Sequence, residues 1–116
     1  IDHVLDLDRP VSINGVTVRA VATPGHSHDH VSYLVETPER RLLVGGDALF
    51  HGGKVAIQDI YDCDIAAVCE SVRRLTGIDY EALLPGHLAF SLTNGRRHAD
   101  AALAHVEALH CPPSII

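Results

Sequence analysis

Three segments of the chain end alike: "TPGH" at 23–26, "VGGD" at 44–47 and "LPGH" at 84–87. Each delivers one potential metal ligand directly after an apolar run and a glycine. Two imidazoles and one carboxylate, from His26, Asp47 and His87, suit zinc or another borderline first-row ion such as iron or manganese. Glycine beside each ligand has a mechanical use, since a residue without Cβ lets the backbone turn sharply and approach a metal or substrate.

The stretch "HSHDH" at 26–30 puts three histidines and an aspartate into five positions of a chain with nine histidines. Of these, His26 belongs to the recurring pattern. His28, Asp29 and His30 read as a polar loop in which Asp29 or His30 hydrogen-bonds neighbouring backbone or orients a ligand imidazole; an opportunistic metal contact is the alternative. His51, four positions past Asp47, either lines a substrate pocket or occupies a surface turn. His3, His98, His105 and His110 are expected to be solvated or partly packed.

Positioning three ligands at one point requires a rigid frame whose strands end together. Val11 to Ile13 and Val16 to Ala22 flank Asn14-Gly15, a pair suited to a two-residue type I′ turn, and predict a hairpin. Its second arm stops at Thr23-Pro24-Gly25, which places His26 on a loop just past a strand. Val31 to Glu36 and Arg41 to Val44 predict a second strand pair that ends at Gly45-Gly46-Asp47. Residues 48 to 62 read as irregular. Asp64 is an N-cap candidate for a helix from Ile65 to Leu75, with Ile65, Val68, Val72 and Leu75 facing a core. A short strand, Ala82 to Leu84, stops at Pro85-Gly86-His87. The last helix, about Arg96 to Leu109, carries Ala99, Ala102, Leu103, Val106 and Leu109 in one stripe.

With 116 residues, a hydrophobic fraction of 47% and no apolar run near twenty residues, the chain reads as one globular domain over 1–116 without a membrane span. A formal charge of −6 disfavours the basic surface that nucleic-acid binding needs. Cys63, Cys69 and Cys111 lack paired short spacing and read as small buried hydrophobes in a reducing, cytoplasmic setting. The chain has no methionine and opens on Ile1, so it is expected to be a fragment, a processed chain or an excerpt rather than a complete primary translation product.

The ordered triple "TPGH", "GD" and "PGH", with strands and helices between its members, resembles the metallo-β-lactamase fold, specifically its second half, from about Val11 to Leu109. The resemblance implies an α/β (α+β) architecture, half of an αββα sandwich with a mostly antiparallel, mixed sheet and two helices. It also implies that His26 completes the first metal's histidine set, that Asp47 bridges two metals and acts in catalysis, and that His87 serves the second. Family members hydrolyse small-molecule thioesters, lactones and β-lactams, and some cleave phosphodiesters. The family's H-x-H-x-D-H motif is absent, and "HSHDH" is one residue short of it between the second histidine and the aspartate. The chain would therefore supply about half of a binuclear zinc site, hold at most one ion weakly when alone, and act as a poor hydrolase by itself. A half-sandwich should also expose an apolar sheet face formed by Val16, Val18, Ala20, Val31, Tyr33 and Val35, covered by a second copy or by a missing amino-terminal half. The competing reading is a non-catalytic metal-binding or interaction domain that keeps the half-fold.

Overall fold

The computed structural model describes residues 6–116, so the expectation for His3 lies outside them. Strands β1 (Val11–Ile13) and β2 (Val16–Ala22) form the hairpin, and the turn has φ values of 51° at Asn14 and 82° at Gly15. Two consecutive positive φ angles are the type I′ signature, which is why Asn-Gly occupies this turn. Strand β3 (Val31–Glu36) pairs antiparallel with β2 and with β4 (Arg41–Gly46), while β5 (Ala82–Pro85) runs parallel to β4. The order β1-β2-β3-β4-β5 is thus a mixed five-stranded sheet. A parallel pair cannot be closed by a tight turn, and the long β4–β5 connection contains helix α1 (Ile65–Thr76). Helix α2 (Arg96–Glu107) follows β5. Among the described residues no helix is long and apolar enough to cross a membrane.

Register decides which side of the sheet the helices cover. Arg19 lies opposite Leu34, Leu34 opposite Leu43 and Leu43 opposite Leu83, so these four share one face. Leu34, Leu43 and Leu83 are buried in one cluster with Val68, Val72 and Leu75 of α1 and Ala99, Ala102 and Val106 of α2. Each leucine buried there stabilises the fold by about 1.5–3 kcal/mol. The other face carries Val16, Val18, Val31, Val35, Leu42, Val44 and Leu84, all only partly buried, and Tyr33 is 39% exposed. Ala20 departs from the expected open face. It is buried where Leu7 pairs with it and Asp8 donates its backbone N–H to the Ala20 carbonyl at 2.7 Å.

Asp64 caps α1, its side chain accepting from the Ala67 N–H at 3.2 Å. The buried stripe of this helix begins one turn later than expected, at Val68, and Ile65 is 47% exposed. The β2–β3 loop packs on α1 at Val68 and Ser71, where the Ser71 hydroxyl donates to the Pro24 carbonyl at 2.7 Å. Helix α2 ends at Glu107, and Leu109 takes a left-handed φ of 61° and leaves the stripe fully exposed. The segment read as irregular, 48–62, contains a 3-10 turn at His51–Gly53 and buries Leu49, Phe50, Val55 and Ala56. Irregular backbone here still contributes apolar side chains to the core. All three cysteines are free; Cys63 and Cys69 are half-buried, and Cys111 is exposed rather than buried as expected.

Candidate metal centre

His26, Asp47 and His87 sit on the loops after β2, β4 and β5, at one end of the sheet. Asp47 lies between the two histidines. His26 Nε2 is 3.4 Å from Asp47 Oδ2, and His87 Nε2 is 3.4 Å from Asp47 Oδ1. Each carboxylate oxygen therefore faces a different imidazole. Close approach is possible because position 86 is glycine, where a Cβ would stand 2.6 Å from Asp47 Oδ1. Phe50 stacks on the His87 ring with centroids 6.2 Å apart.

The tautomer of His26 can be argued from its other nitrogen. His26 Nδ1 lies 3.3 Å from the Ala56 carbonyl oxygen, which can only accept, so the proton is assigned to Nδ1 and the Nε2 lone pair faces Asp47. Such a facing pair is satisfied by a proton on Nε2 or by a cation between the two atoms. The separation fits a cation: two ligand atoms each about 2.0–2.1 Å from a tetrahedral zinc stand roughly 3.4 Å apart. A charge-assisted hydrogen bond would instead be about 2.7–2.9 Å. The donor set thus fits a divalent ion in each histidine–carboxylate pair. Among the described residues no group of three His, Cys, Asp or Glu side chains is arranged to hold one ion, which differs from the three-ligand single-metal set expected for this chain alone. The physical reason is that Asp47 turns its two oxygens to opposite sides, so the three side chains do not enclose one point.

His30 reaches the site from behind. Its Nε2 accepts the Asp47 backbone N–H at 3.0 Å, which places the ring proton on Nδ1, 2.9 Å from Thr23 Oγ1. Thr23 Oγ1 lies 2.8 Å from Ser32 Oγ, and Ser32 donates to the Gly45 carbonyl at 3.2 Å. This chain of hydrogen bonds runs one way and ties the loop before β3 to the loop after β4. Burial pushes the His30 pKa below the ordinary histidine value, partly offset by the nearby Asp47 carboxylate. A neutral ring is what the network requires.

His28, Asp29, His51 and His98 lie outside the histidine–carboxylate pairs. His28 Nδ1 contacts Asp62 Oδ1 at 2.8 Å and its backbone N–H donates to the same oxygen at 3.2 Å, joining loop 26–30 to segment 59–63. Asp29 is exposed and accepts from the Ser27 hydroxyl at 3.2 Å, without reaching the histidine–carboxylate pairs. His51 is exposed and packs on His98, with centroids 4.4 Å apart, rather than lining the cleft at Asp47. His98, expected to be solvated or partly packed, is only 2% exposed and bridges the 3-10 turn to the β5–α2 loop. Its position on the apolar face of α2, one residue before Ala99, was the available signal.

The cleft at the site is about 350 Å³ and is lined by His26, Asp47, Ala56, Gln58, His87, Ile115 and Ile116. Ala56, Gln58 and the two isoleucines were missed because 48–62 read as irregular and the segment after α2 carried no pattern.

Gly25 locks the first ligand loop onto α1. It has a φ of 143°, and a Cβ there would stand 2.6 Å from the Val68 nitrogen and 2.7 Å from its Cα. Its carbonyl accepts the Asp64 N–H at 2.8 Å. Gly25→Ala is expected to destabilise the fold by about 2 kcal/mol, because backbone must move to admit the methyl group. A urea midpoint equal to wild type would show that the loop and α1 separate freely.

The Metallo-beta-lactamase superfamily pattern matches residues 1–87. A beta-lactamase-like protein 2 homolog from Caenorhabditis elegans is 29% identical over 85 residues, 73% of this chain and 26% of that protein. An atrochrysone carboxyl ACP thioesterase from Aspergillus fumigatus is 33% identical over 76 residues, 66% of this chain and 22% of that protein. The crystal structure of a metallo-beta-lactamase family protein from Thermus thermophilus superposes with a TM-score of 0.70 at 22% identity, covering 90% of this chain and 35% of the other. The chain spans about a quarter of the length of the curated relatives it matches. The extent of the family match, together with the strand-end placement of its "TPGH", "GD" and "PGH" segments, shows that this chain belongs to the metallo-beta-lactamase superfamily.

Proposed function

We propose that this chain is the carboxy-terminal half of the metallo-β-lactamase fold of a zinc-dependent hydrolase acting on an ester, thioester, lactone or similar bond of a small molecule. The observation that carries the reading is the Asp47 carboxylate, whose two oxygens each face the Nε2 of a different histidine at 3.4 Å. In this reading His26 and Asp47 would hold one ion, and His87 and Asp47 would hold a second. Bound metal would lower the pKa of a water and polarise the bond under attack. The protein's own share is orientation: Ala56 sets the His26 tautomer, and His30 holds the Asp47 backbone. The thioesterase among the relatives supports the substrate class.

This half contributes one imidazole to each metal position, so a preceding half with H-x-H-x-D-H would complete the coordination. The test is turnover of acyl thioesters, lactones and nitrocefin with zinc or manganese. The chain alone should show little; the protein joined to its preceding half should show activity that His26→Ala, Asp47→Ala and His87→Ala each lower by at least about 100-fold. Binding of metal without turnover in the joined protein would favour the non-catalytic metal-binding reading.

The apolar face opposite the helices belongs to the same proposal. Val18, Val35, Tyr33, Val44 and Leu84 line a surface that two helices on the far side cannot cover. The occupant in this reading is the preceding half, or a second copy when that half is absent. Sedimentation of the isolated chain at micromolar concentration is expected to give a dimer; a cooperatively folding monomer would show that the face is stable in water.

A further inference from the structure

We propose that the segment after α2, residues 111–116, is a specificity wall of the cleft, and that Ile115 and Ile116 select substrates carrying an apolar acyl chain over short or polar ones. This rests on the hydrolase reading above. The segment leaves α2 at the exposed Leu109 and is then held by hydrogen bonds to the strip 55–57. Val55 donates its N–H to the Pro113 carbonyl at 2.9 Å, and Ile115 donates its N–H to the Val55 carbonyl at 2.9 Å. Between them the Ser114 hydroxyl accepts the Ile57 N–H at 3.1 Å and lies 3.4 Å from the Ile57 carbonyl. Val55 is 1% exposed, so the strip that anchors the segment is itself fixed in the core.

The consequence is a cleft whose lining is chemically mixed. His26, Asp47, Gln58 and His87 supply its polar lining, where a reacting carbonyl would sit, and Ala56, Ile115 and Ile116 supply its apolar lining. Ile116 is 67% exposed and Ile115 half-buried, so both keep apolar surface that a ligand could cover. A volume of about 350 Å³ suits a medium acyl group. Apolar contact adjoining a polar reacting centre discriminates by chain length, since each methylene buried adds favourable transfer energy while acetyl leaves the wall uncovered. Pro112-Pro113 contributes stiffness, because two consecutive prolines hold the approach to Ser114 extended and reduce the entropy lost on docking.

The experiment compares octanoyl- and acetyl-pantetheine with the protein, by calorimetric binding and, with zinc added, by hydrolysis. Wild type should bind the octanoyl thioester about 10-fold tighter than the acetyl one. That ratio should collapse toward one in Ile115→Ser/Ile116→Ser and in Ile116→Ser alone, and survive in Ile115→Leu. Ile116→Ser alters an exposed side chain and keeps the test valid if the double variant fails to fold. A wild-type protein without chain-length preference, or a preference that both serine variants retain, overturns the wall. Chain-length-dependent binding with no hydrolysis by the protein joined to its preceding half would leave the wall standing and sink the hydrolase reading. Hydrolysis of both thioesters at ratios the serine variants do not move would do the reverse.

Discussion

Asp47→Ala is expected to lower zinc affinity by at least about 100-fold, further than either His26→Ala or His87→Ala alone. Each histidine faces only one carboxylate oxygen, so removing one leaves the other histidine–carboxylate pair in place, whereas removing Asp47 dismantles both. Calorimetric titration of the chain with zinc measures this directly. Asp47→Asn is the informative companion: it keeps one carbonyl oxygen and the backbone bond to His30 but loses the charge and one acceptor, and should fall between wild type and Asp47→Ala. If Asp47 were only an ion-pair partner for the histidines, zinc affinity would not rank the variants this way. Equal affinity for wild type and Asp47→Ala would sink the bridging assignment. Tight uptake of two ions per isolated monomer would refute the half-site.

His98→Ala is expected to cost about 3–4 kcal/mol, and wild-type stability should fall steeply in mild acid. The His98 ring accepts the Gly52 N–H at Nδ1, 2.8 Å away, so its proton is on Nε2, 2.8 Å from Ser91 Oγ. Truncation leaves a cavity and removes the His98 partner of the buried Ser91 hydroxyl and of the Gly52 N–H. Burial, with Arg97 and His51 close by, lowers the pKa from 6.5 to about 4. The folded protein therefore binds this proton more weakly than the unfolded chain. The contribution is complete above about pH 6.5, is lost progressively as pH falls toward about 4, and changes no further below that. The loss is on the order of 3 kcal/mol. Urea denaturation between about pH 4 and 7, compared with a His98→Gln variant that cannot titrate, checks the sign. A wild-type slope that the variant keeps would assign the acid sensitivity to another group.

The expected assembly, metal affinity and turnover concern what this chain does with partners. The folding elements concern the chain itself, and there local patterns carried far. Asn14-Gly15 specified its turn because few residues tolerate two positive φ angles in succession. Period-two and period-3.6 patterns placed the strands and both helices within two residues of their observed ends, because alternation and helical spacing are short-range properties of backbone geometry. Proline-glycine stops marked the ends of β2 and β5, and so put His26 and His87 on loops.

Other features depended on residues distant in sequence. Ile65 and Leu109 fit the helical stripe yet stay exposed, because burial requires a neighbour and the loop and sheet reach neither. Segment 48–62 had no period, but its apolar side chains fill the core from irregular backbone, which leaves no regular spacing to detect. His98 looked like any helical histidine, and only the approach of Gly52 and Ser91 from other elements made it a buried bridge. At the site, residue type and order in the chain identified His26, Asp47 and His87 as ligand candidates. That Asp47 turns one oxygen to each histidine, that His30 accepts the Asp47 backbone N–H, and that Ile115 and Ile116 line the cleft are relations between residues far apart in the chain. Spacing along a chain cannot encode such distances, because they are set where β2, β4, β5 and the segment after α2 meet.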